Sequence, residues 1–388
     1  MLHPDKALEL VLADSHSPEM IEVPILQSLG MVLGEKVLAA IESPPFDKAA
    51  MDGWAVSSSD TGISFKIIET VAAGDVPNKT IHPGECARIM TGAMMPKGSD
   101  KVIRVEYTQE QNGLVTILQT EPDLNVIKKG ENLRPGDCVL KPKVIKPQDI
   151  GILASLGLKK IRVVKPPLTG VITTGSELKN PGEPLNRGEI YNSNGFQLCA
   201  QTAQIQCPYK YYGIVEDEPP VLSAAVGKAL EECDVLILSG GVSMGDFDYV
   251  PRILKEHKVD LLFHHLAVKP GKPTLFGRKG SRYIFGLPGN PVSTFIIFEI
   301  FVKPLLFQMM GINYEPVLSS GRLLKDIIRT NTDRLEYRPV KLTKGEIHQI
   351  PYHGSTHLNA MGEANGIIRI EQGIDYIEKG REIVVRQI

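Results

Sequence analysis

Apolar runs and helical patterns alternate along residues 167–312. One apolar run, residues 234–238, leads directly into glycines and hydroxyl residues, and the stretch from Pro219 to Glu232 before it has helical spacing. Strands that alternate with helices are typical of a sheet whose strands are mostly parallel. The pattern therefore predicts an α/β domain. Its four predicted strands are PLTGVITTG, YKYYGIVED, DVLIL and LLFHHLAV.

Two other parts of the chain carry short β runs that are separated by turn residues. In residues 44–130 the runs are FKIIETV, ECARIM, KVIRVEY and LVTILQT, and in residues 313–388 they are GRLLKDIIRT, LEYRPVKLT, GIIRIEQ and REIVVRQI. The first set predicts an inserted β domain, whose start at residues 42–56 is predicted to be an ordered loop ending in the Asp52-Gly53 turn. The second set predicts a small C-terminal domain, either like a β-barrel or a sandwich.

The rest of the chain predicts a fourth domain made of two separate segments. Residues 4–13 and PQDIGILASLG have helical spacing, and helical or extended connectors surround them. At 388 residues the chain exceeds one comfortable core, so several domains are expected. The predicted boundaries are 1–43 plus 131–166 for a discontinuous N-terminal dimerisation domain, 44–130 for the inserted β domain, 167–312 for the α/β domain and 313–388 for the C-terminal β domain.

Composition and cysteine usage limit the class of protein. Charged residues make up 23% of the chain and the net charge is −2, which argues against a general nucleic-acid binder. The first twenty residues contain no long apolar core, so no secretory signal is expected. The five cysteines are odd in number and form no C-x-x-C pair, which predicts reduced thiols in a cytoplasmic protein.

One apolar segment, residues 292–310, could be mistaken for a membrane span. It carries Glu299, Lys303 and Pro304 in its middle, and charged residues are costly in lipid. We therefore expect a helix buried in a core or at a subunit contact, and no membrane association. Such a contact would also make a homo-oligomer plausible.

Polar residues follow most of the predicted strands. In open α/β sheets the carboxyl ends of the strands are where ligands bind. Phosphate groups bind well at turns of glycines and hydroxyl residues and at helix starts such as Pro291. Lysines add positive charge for the phosphate. Carboxylates can hold an Mg²⁺ ion beside it. The sequence therefore predicts a site for a phosphorylated ligand with a divalent cation. The residues gathered there would be Glu177, Asp217, Asp248, Ser239, Gly240, Gly241, Ser243, Lys269, Lys272 and Pro291.

Other interpretations of these loops stay open on the residues alone. A single Gly-Gly after a strand is more often a tight turn with solvated acids, and only the recurrence of polar loops after several strands favours a ligand site. The chain has no G-x-x-x-x-G-K-[ST] and no well-placed G-x-G-x-x-G, so it lacks the P-loop and Rossmann signatures. His264 and His265, expected to face opposite sides of the fourth strand, are predicted to be structural.

Seven motifs occur in one order along the chain and together resemble one family. They are AAMDGWAV, GENLRPGD, TTGSEL, GEIYNSN, LSGGVSMGDFDY, LAVKPGKPTLFG and GLPGNPVS. This set is similar to the molybdopterin molybdenumtransferases of the bacterial MoeA type, which also occur as the E domain of gephyrin. The resemblance covers essentially the whole chain. It implies a MogA-like, three-layer α/β domain at residues 167–312 and an elongated homodimer with the active site in a cleft between subunits.

The resemblance also implies a reaction and roles for residues. The family inserts molybdate into adenylylated molybdopterin and releases AMP, with Mg²⁺ as cofactor. Carried over by motif, the catalytic residues are Asp52, Glu177, Asp217 and Asp248, of which Asp248, Glu177 and Asp52 are the expected metal ligands. The SGGVS turn, Lys269 and Lys272 would bind pterin phosphate and molybdate, together with Arg334 and Ser355 of the C-terminal domain. Further expected partners are the molybdopterin adenylyltransferase and molybdoenzyme maturation proteins.

One position departs from the family pattern. Asn132, in GENL, stands where many members have an aspartate, and an amide cannot supply a carboxylate's negative charge. Asn132 could still hydrogen-bond a ligand. Two alternatives stay open. One is a molybdopterin adenylyltransferase, which uses the same α/β domain but against which the flanking domains and the AMDG loop argue. The other, which Asn132 keeps open, is a dimeric scaffold of the same family with weakened catalysis. The sequence does not decide between molybdate and tungstate.

Overall fold

The computed structural model describes residues 1–14, 18–242, 249–351, 354 and 356–388. The chain divides into two compact units. The first comprises residues 1–34, 143–146 and 160–388, and the second comprises residues 35–142 and 147–159. The first unit contains a central α/β sheet and a C-terminal barrel, and the second contains a separate β-sheet.

The central sheet has six strands, of which four are parallel. In spatial order they are Tyr209–Val215, Thr169–Thr174, Val235–Ser239, Arg282–Leu287, Leu275–Lys279 and Asp260–Phe263. The last two strands run antiparallel to their neighbours. Every residue of Thr169–Thr174 and Val235–Ser239 is buried, as expected for parallel strands that are covered on both faces. The predicted α/β domain with a mostly parallel sheet is confirmed.

Alternate strand residues feed two separate apolar cores. Val235 and Ile237 belong to the core on one face of the sheet, and Leu236 and Leu238 belong to the core on the other. This follows from the two-residue period of a strand, which turns successive side chains to opposite faces. The helices of this region complete a three-layer arrangement. They are Ser193–Gln204, Pro219–Glu232, Val250–Glu256, and Pro291–Ile297 continuing through a π-helical turn, Phe298–Val302, into Lys303–Met309.

The prediction that LLFHHLAV forms one strand is wrong, because this segment contributes to two different sheets. Asp260–Phe263 forms the antiparallel edge of the central sheet, whereas Val268–Lys269 pairs in parallel with Leu335 and Glu336 of the C-terminal barrel. Between them the backbone leaves the sheet, and there the N–H of Leu266 donates to the carbonyl of Lys272 at 3.0 Å.

The two histidines in this connection also differ from the expectation. His264 and His265 were expected to face opposite sides of a strand, but their ring centroids lie only 4.5 Å apart. They lie outside any strand, so the alternation of a strand does not apply to them. His264 Nε2 contacts the carbonyl oxygen of Val242 at 2.9 Å, which is consistent with the structural role predicted for this residue.

The C-terminal strands close into a five-stranded barrel. The closing contact is the antiparallel pairing of Leu335–Thr343 with Gly366–Ile370, and closure leaves this sheet without free edges apart from the added Val268–Lys269 strand. The barrel interior contains Leu323, Val340, Ile368 and Val385. The predicted barrel-like domain is confirmed. Its strands are Leu318–Leu323, Leu335–Thr343, Glu346–Gln349, Gly366–Ile370 and Glu382–Gln387, and a short ladder joins Ile327–Ile328 to Tyr376–Ile377.

The N-terminal segment of the first unit is a helix followed by a strand. Helix Pro4–Val11 buries Ala7 and Val11, and strand Met20–Pro24 pairs antiparallel with Lys160–Val164. Between them, the Asp14 carboxylate accepts a hydrogen bond from the Tyr283 hydroxyl at 2.9 Å. These pairings join distant parts of the chain, as a discontinuous domain requires. The four domain boundaries themselves stay a prediction.

The second unit is built on a six-stranded, mostly antiparallel sheet. In spatial order its strands are Lys101–Arg104, Gly53–Val56, Glu85–Ile89, Ser64–Val71, Leu114–Ile117 and Thr108–Gln111. Helix Pro147–Ser155 and two short ladders, Val37–Leu38 with Cys138–Leu140 and Lys48–Ala49 with Val126–Ile127, complete the unit. The prediction of a loop over residues 42–56 is wrong for its last residues, because Gly53–Val56 is a fully buried strand. In this strand Trp54 Nε1 donates to Thr108 Oγ1 at 2.9 Å.

Among the described residues, one helix is long and apolar enough to cross a membrane, Pro291–Met309. Within the chain 78% of its apolar window is buried. Its two charged residues pair with each other, since Lys303 Nζ lies 2.8 Å from Glu299 Oε2, and Gln201 Nε2 donates to Glu299 Oε1 at 3.0 Å. The segment is therefore a core helix, as the sequence predicted.

We expect Glu299→Ala to destabilise the first unit by about 3–5 kcal/mol, because it leaves the mostly buried Lys303 ammonium without its partner. Glu256→Ala is the matched control, since it breaks an exposed pair of the same spacing with Arg252 and should cost no more than about 0.5 kcal/mol. Denaturant unfolding of both variants measures the difference. Equal effects would contradict a structural role for the buried pair.

All five cysteines are free thiols, and four of them are buried. Burial raises the pKa of Cys86 and of Cys207 to about 12 and that of Cys199 to about 11. The thiolate is the reactive form, so these thiols should be inert near neutral pH. The fifth cysteine, Cys138, is exposed. We therefore expect a thiol-reactive reagent at pH 8 to find a single fast-reacting thiol in the native chain, and we expect Cys138→Ser to remove it. A fast-reacting thiol that survives this substitution would contradict the packing described.

Candidate active site

A cavity of about 680 Å³ lies at the carboxyl ends of the central parallel strands. Its walls come from the segments that follow the four parallel strands and from the first residues of two helices. The sequence placed its candidate residues at this edge, and the structure brings Glu177, Asp217, Ser239, Gly240, Gly241 and Pro291 together there. Further lining residues include Thr173, Thr174, Tyr191, Asn192, Ser193, Asn194, Pro288, Asn290 and Leu358.

Gly240 and Gly241 form the floor of the cavity in a backbone conformation that favours glycine. Their φ angles are +99° and +61°, and a Cβ atom on Gly240 would lie 2.1 Å from the Thr174 carbonyl oxygen. The N–H of Gly240 already donates to the Leu287 carbonyl at 3.3 Å. The close approach of this turn to Thr174 therefore requires glycine, and the N–H of Gly240 is already used within the sheet edge.

Two carboxylates of the described residues face this cavity. Asp217 is half-buried in the loop before helix Pro219–Glu232, and one of its oxygens accepts a hydrogen bond from the Thr174 hydroxyl. Glu177 is exposed and folds back toward Gly175, where an added Cβ would lie 2.8 Å from its carboxylate. No group of three or more His, Cys, Asp or Glu side chains lies close enough to hold a metal in the described parts of the chain.

Two asparagines at the start of helix Ser193–Gln204 are site residues that the sequence did not single out. Asn192 does cap the helix, since its Oδ1 accepts from the N–H of Gly195 at 3.1 Å, but its Nδ2 also donates to Thr173 Oγ1 at 2.9 Å. Asn194 is buried and donates to Ser239 Oγ at 2.9 Å and to the Gly289 carbonyl at 2.7 Å. Both amides therefore fix loops that line the cavity.

The predicted cationic residues line a second, adjacent cavity of about 320 Å³. Lys269, Lys272 and Arg334 contribute to its walls, and it shares Pro273, Pro288 and Asn290 with the larger cavity. Arg334 is held by a hydrogen bond from its Nη1 to the Val268 carbonyl at 3.2 Å. The acids and the cations therefore occupy two connected ends of one cleft in the first unit.

The remaining predicted residues belong to the second unit or fall outside the described residues. Asp52 and Asn132 belong to the second unit, where the hydroxyl and the N–H of Thr91 each donate to Asp52 at 2.6 Å and lower the pKa of its carboxyl. Asn132 is exposed, and its backbone N–H donates to the Ser43 carbonyl at 2.9 Å. The predicted site residues Ser243, Asp248 and Ser355 lie outside the described residues.

We expect Gly240→Ala to destabilise the first unit by at least about 2 kcal/mol, because the new Cβ would overlap the Thr174 carbonyl in a conformation that alanine avoids. Gly280→Ala is the matched control: its φ is +59°, and nothing lies within 4 Å of an added Cβ. That variant should cost only about 1 kcal/mol. Unfolding midpoints compare the two, and equal losses would contradict the close approach at Gly240.

Three family models match successive parts of the chain. The one described as MoeA N-terminal region (domain I and II) matches residues 2–157. The second, described as "Probable molybdopterin binding domain", matches residues 170–308, and the third, MoeA C-terminal region (domain IV), matches residues 321–388. Together they follow the order of motifs on which the predicted resemblance rests.

Similar proteins and structures cover almost the whole chain. Proteins named molybdopterin molybdenumtransferase from Staphylococcus aureus and Staphylococcus epidermidis are each 34% identical, over 97% and 98% of this chain and 93% and 94% of their own. Two structures of a molybdopterin biosynthesis MoeA protein from Pyrococcus horikoshii match all of this chain and at least 99% of theirs, with TM-scores of 0.84 and 0.87 at 32% and 29% identity. The predicted family and fold are confirmed, and the chain belongs to the molybdopterin molybdenumtransferase family of enzymes.

Proposed function

We propose that this protein inserts molybdate into adenylylated molybdopterin and releases AMP, as a step of molybdenum cofactor biosynthesis. The observation that carries the proposal is the pair of connected cavities, one with carboxylates and helix starts, the other with three cationic side chains. A reaction that joins a phosphorylated pterin to a separate inorganic oxyanion needs two neighbouring sites of this kind.

The larger cavity fits the pterin nucleotide in size and chemistry. Its volume of about 680 Å³ is in the range of sites for small organic ligands. Helices Ser193–Gln204 and Pro291–Ile297 begin on its wall, where the partial positive charge of a helix N-terminus favours an anion. Leu178, Ile190 and Leu358 give the same cavity apolar surface against which a flat ring can pack.

The smaller cavity fits molybdate, which is a small tetrahedral dianion. Lys269 and Lys272 are both exposed enough to move toward a bound ion, whereas Arg334 is held in place at the Val268 carbonyl. Ammonium and guanidinium groups around one point stabilise a bound dianion and the negative charge that develops on it during the reaction. The same arrangement would accept tungstate, so the preference between the two ions is left to measurement.

The described carboxylates fit a magnesium ion as cofactor of this reaction. Mg²⁺ usually takes only one or two protein carboxylates and completes its shell with substrate phosphate oxygens and water. Glu177 and Asp217 line the cavity assigned to the phosphates, and the family resemblance adds Asp248 and Asp52 to the expected ligands. Bound there, the ion would supply Lewis-acid polarisation of the phosphoanhydride. The Thr174 hydroxyl holds the Asp217 carboxylate in one orientation for that purpose.

The proposal includes a homodimer in the cytoplasm. The homodimer rests on the family resemblance, which the comparisons support at the level of the family. A reducing compartment is supported by the five free thiols of the chain. Asn132 leaves its position without a carboxylate, so any acid function in that loop has to come from Asp52 or from another acid.

We expect Asp217→Asn to lower the rate of AMP release by about 100-fold or more, the scale on which fixed electrostatic groups act in catalysis. The amide oxygen can still accept from Thr174, so the fold should be retained. Asp234→Asn is the matched control: Asp234 lies at the opposite end of strand Val235–Ser239, accepts from the N–H of Leu168 at 2.8 Å, and should leave the rate unchanged. Asp248→Ala should also abolish AMP release.

The measurement is AMP release and pterin-bound molybdenum after purified protein is incubated with adenylylated molybdopterin, Mg²⁺ and molybdate. The proposal predicts both products together. Formation of the adenylylate from ATP and molybdopterin would instead identify an adenylyltransferase. A folded wild-type chain that forms neither product would identify a scaffold with lost catalysis, and unchanged turnover in Asp217→Asn would contradict the assignment of the site.

A further inference from the structure

The larger cavity has two opposite ends, which the order of the parallel strands defines. Strand Val235–Ser239 lies between Thr169–Thr174 and Arg282–Leu287, and the Gly240 turn that follows it lines the middle of the cavity. The segment after Thr169–Thr174 lines one end, and the segment after Arg282–Leu287 lines the other. Because neighbouring strands lie about 4.8 Å apart, these two segments begin about 10 Å from each other.

One of these ends adjoins the cationic cavity. The described residues that the two cavities share are Pro273, Pro288 and Asn290, and the last two follow strand Arg282–Leu287. Since molybdate is proposed to bind in the cationic cavity, the dithiolene that receives it has to lie at this end. Adenylylated molybdopterin carries its dithiolene and its adenosine on opposite sides of a diphosphate. The adenosine is therefore directed to the other end of the larger cavity.

A short parallel ladder forms that other end. Leu178 pairs with Ile190, and Lys179 pairs with Tyr191. The N–H of Asn192 then donates to the Lys179 carbonyl at 2.9 Å. Leu178, Ile190 and Tyr191 all line the cavity. Backbone pairing therefore fixes a wall with apolar surface at the end of the cavity that lies away from the lysines.

Tyr191 gives this wall an aromatic ring that is both accessible and held in place. Its side chain is 46% exposed, and its hydroxyl donates to the Glu183 carbonyl at 2.9 Å. The hydroxyl is therefore engaged within the chain, while the ring is left for a ligand. Because the ring is anchored at its hydroxyl as well as at the paired backbone, stacking on it costs little further side-chain entropy.

We propose that Tyr191 binds the adenine of adenylylated molybdopterin by stacking of the two rings. Aromatic side chains stack on bases without needing a particular hydrogen-bonding pattern, because every base has a π face. The ladder end would thus hold the part of the substrate that leaves as AMP, and the opposite end would hold the part that receives the metal. The inference rests on the proposed function, because it takes the adenylylated pterin as the substrate.

Equilibrium dialysis of the full-length protein with Mg²⁺ against AMP and, separately, against ribose 5-phosphate tests the proposal, since the two probes differ by the base. We expect Tyr191→Ala to weaken AMP binding about 5- to 150-fold, the range for loss of one stacked base. Ribose 5-phosphate should bind this variant as it binds the wild type, which also shows that the variant is folded. Tyr191→Phe keeps the ring and should retain most of the affinity for AMP.

Tyr209→Ala is the matched control. Tyr209 is 47% exposed and begins strand Tyr209–Val215, so it lies at the end of the parallel strands opposite the cavity. This variant should bind AMP as the wild type does, and a loss equal to that of Tyr191→Ala would overturn the inference.

Three other results would overturn the inference as well. They are unchanged AMP binding in Tyr191→Ala, an equal loss of AMP in Tyr191→Phe, and an equal loss of ribose 5-phosphate in Tyr191→Ala. In each of these cases the wild type still binds AMP, so the proposed function is untouched. A wild-type chain that binds neither probe would contradict the proposed function and the inference with it.

Discussion

The two-residue ladder between Val268–Lys269 and Leu335–Glu336 is the constraint on which the site depends. It draws a segment that follows the central sheet into the edge of the C-terminal barrel. Lys269 is thereby held beside Glu336, and Arg334 lies one residue before the pairing begins. Four hydrogen bonds from the buried Arg329, one of them to the Arg334 carbonyl, fix the barrel side of this contact. The cations of the cleft are therefore positioned by backbone pairing and a buried ion pair.

The cleft separates its charges in a way that suits the two anionic substrates we propose. Glu177 and Asp217 lie at the end formed by the parallel strands, and the lysines lie at the end formed with the barrel. A phosphoanhydride needs a cation between itself and carboxylates, whereas an inorganic oxyanion needs cations directly. Because the two ends share lining residues, both substrates can be held within one cleft. The Gly240 turn lies too close to Thr174 for any side chain at residue 240, so this wall of the cleft is tightly packed.

Local patterns predicted the parts of this fold that depend on local physics. Apolar runs predicted the strands Thr169–Thr174 and Val235–Ser239, and helical spacing predicted the helix Pro219–Glu232. The location of Glu177 and Asp217 at one edge of the sheet was predicted because ligands bind at the carboxyl ends of parallel strands. The strand at Val268–Lys269 could not be predicted, because its partner lies more than sixty residues later in the chain. For the same reason no pattern marked Asn194 or Glu336, whose importance arises only from burial beside distant residues.

The most direct test of this account is the position of an oxyanion in a crystal of the protein grown with tungstate. Anomalous scattering locates tungsten without any assumption about the reaction. We expect a tungsten peak within hydrogen-bonding distance of Lys272 and Arg334, in the cavity that Pro288 and Asn290 also line. Tungsten bound only at other surfaces, with this cavity filled by water at the same tungstate concentration, would contradict the assignment of the cleft.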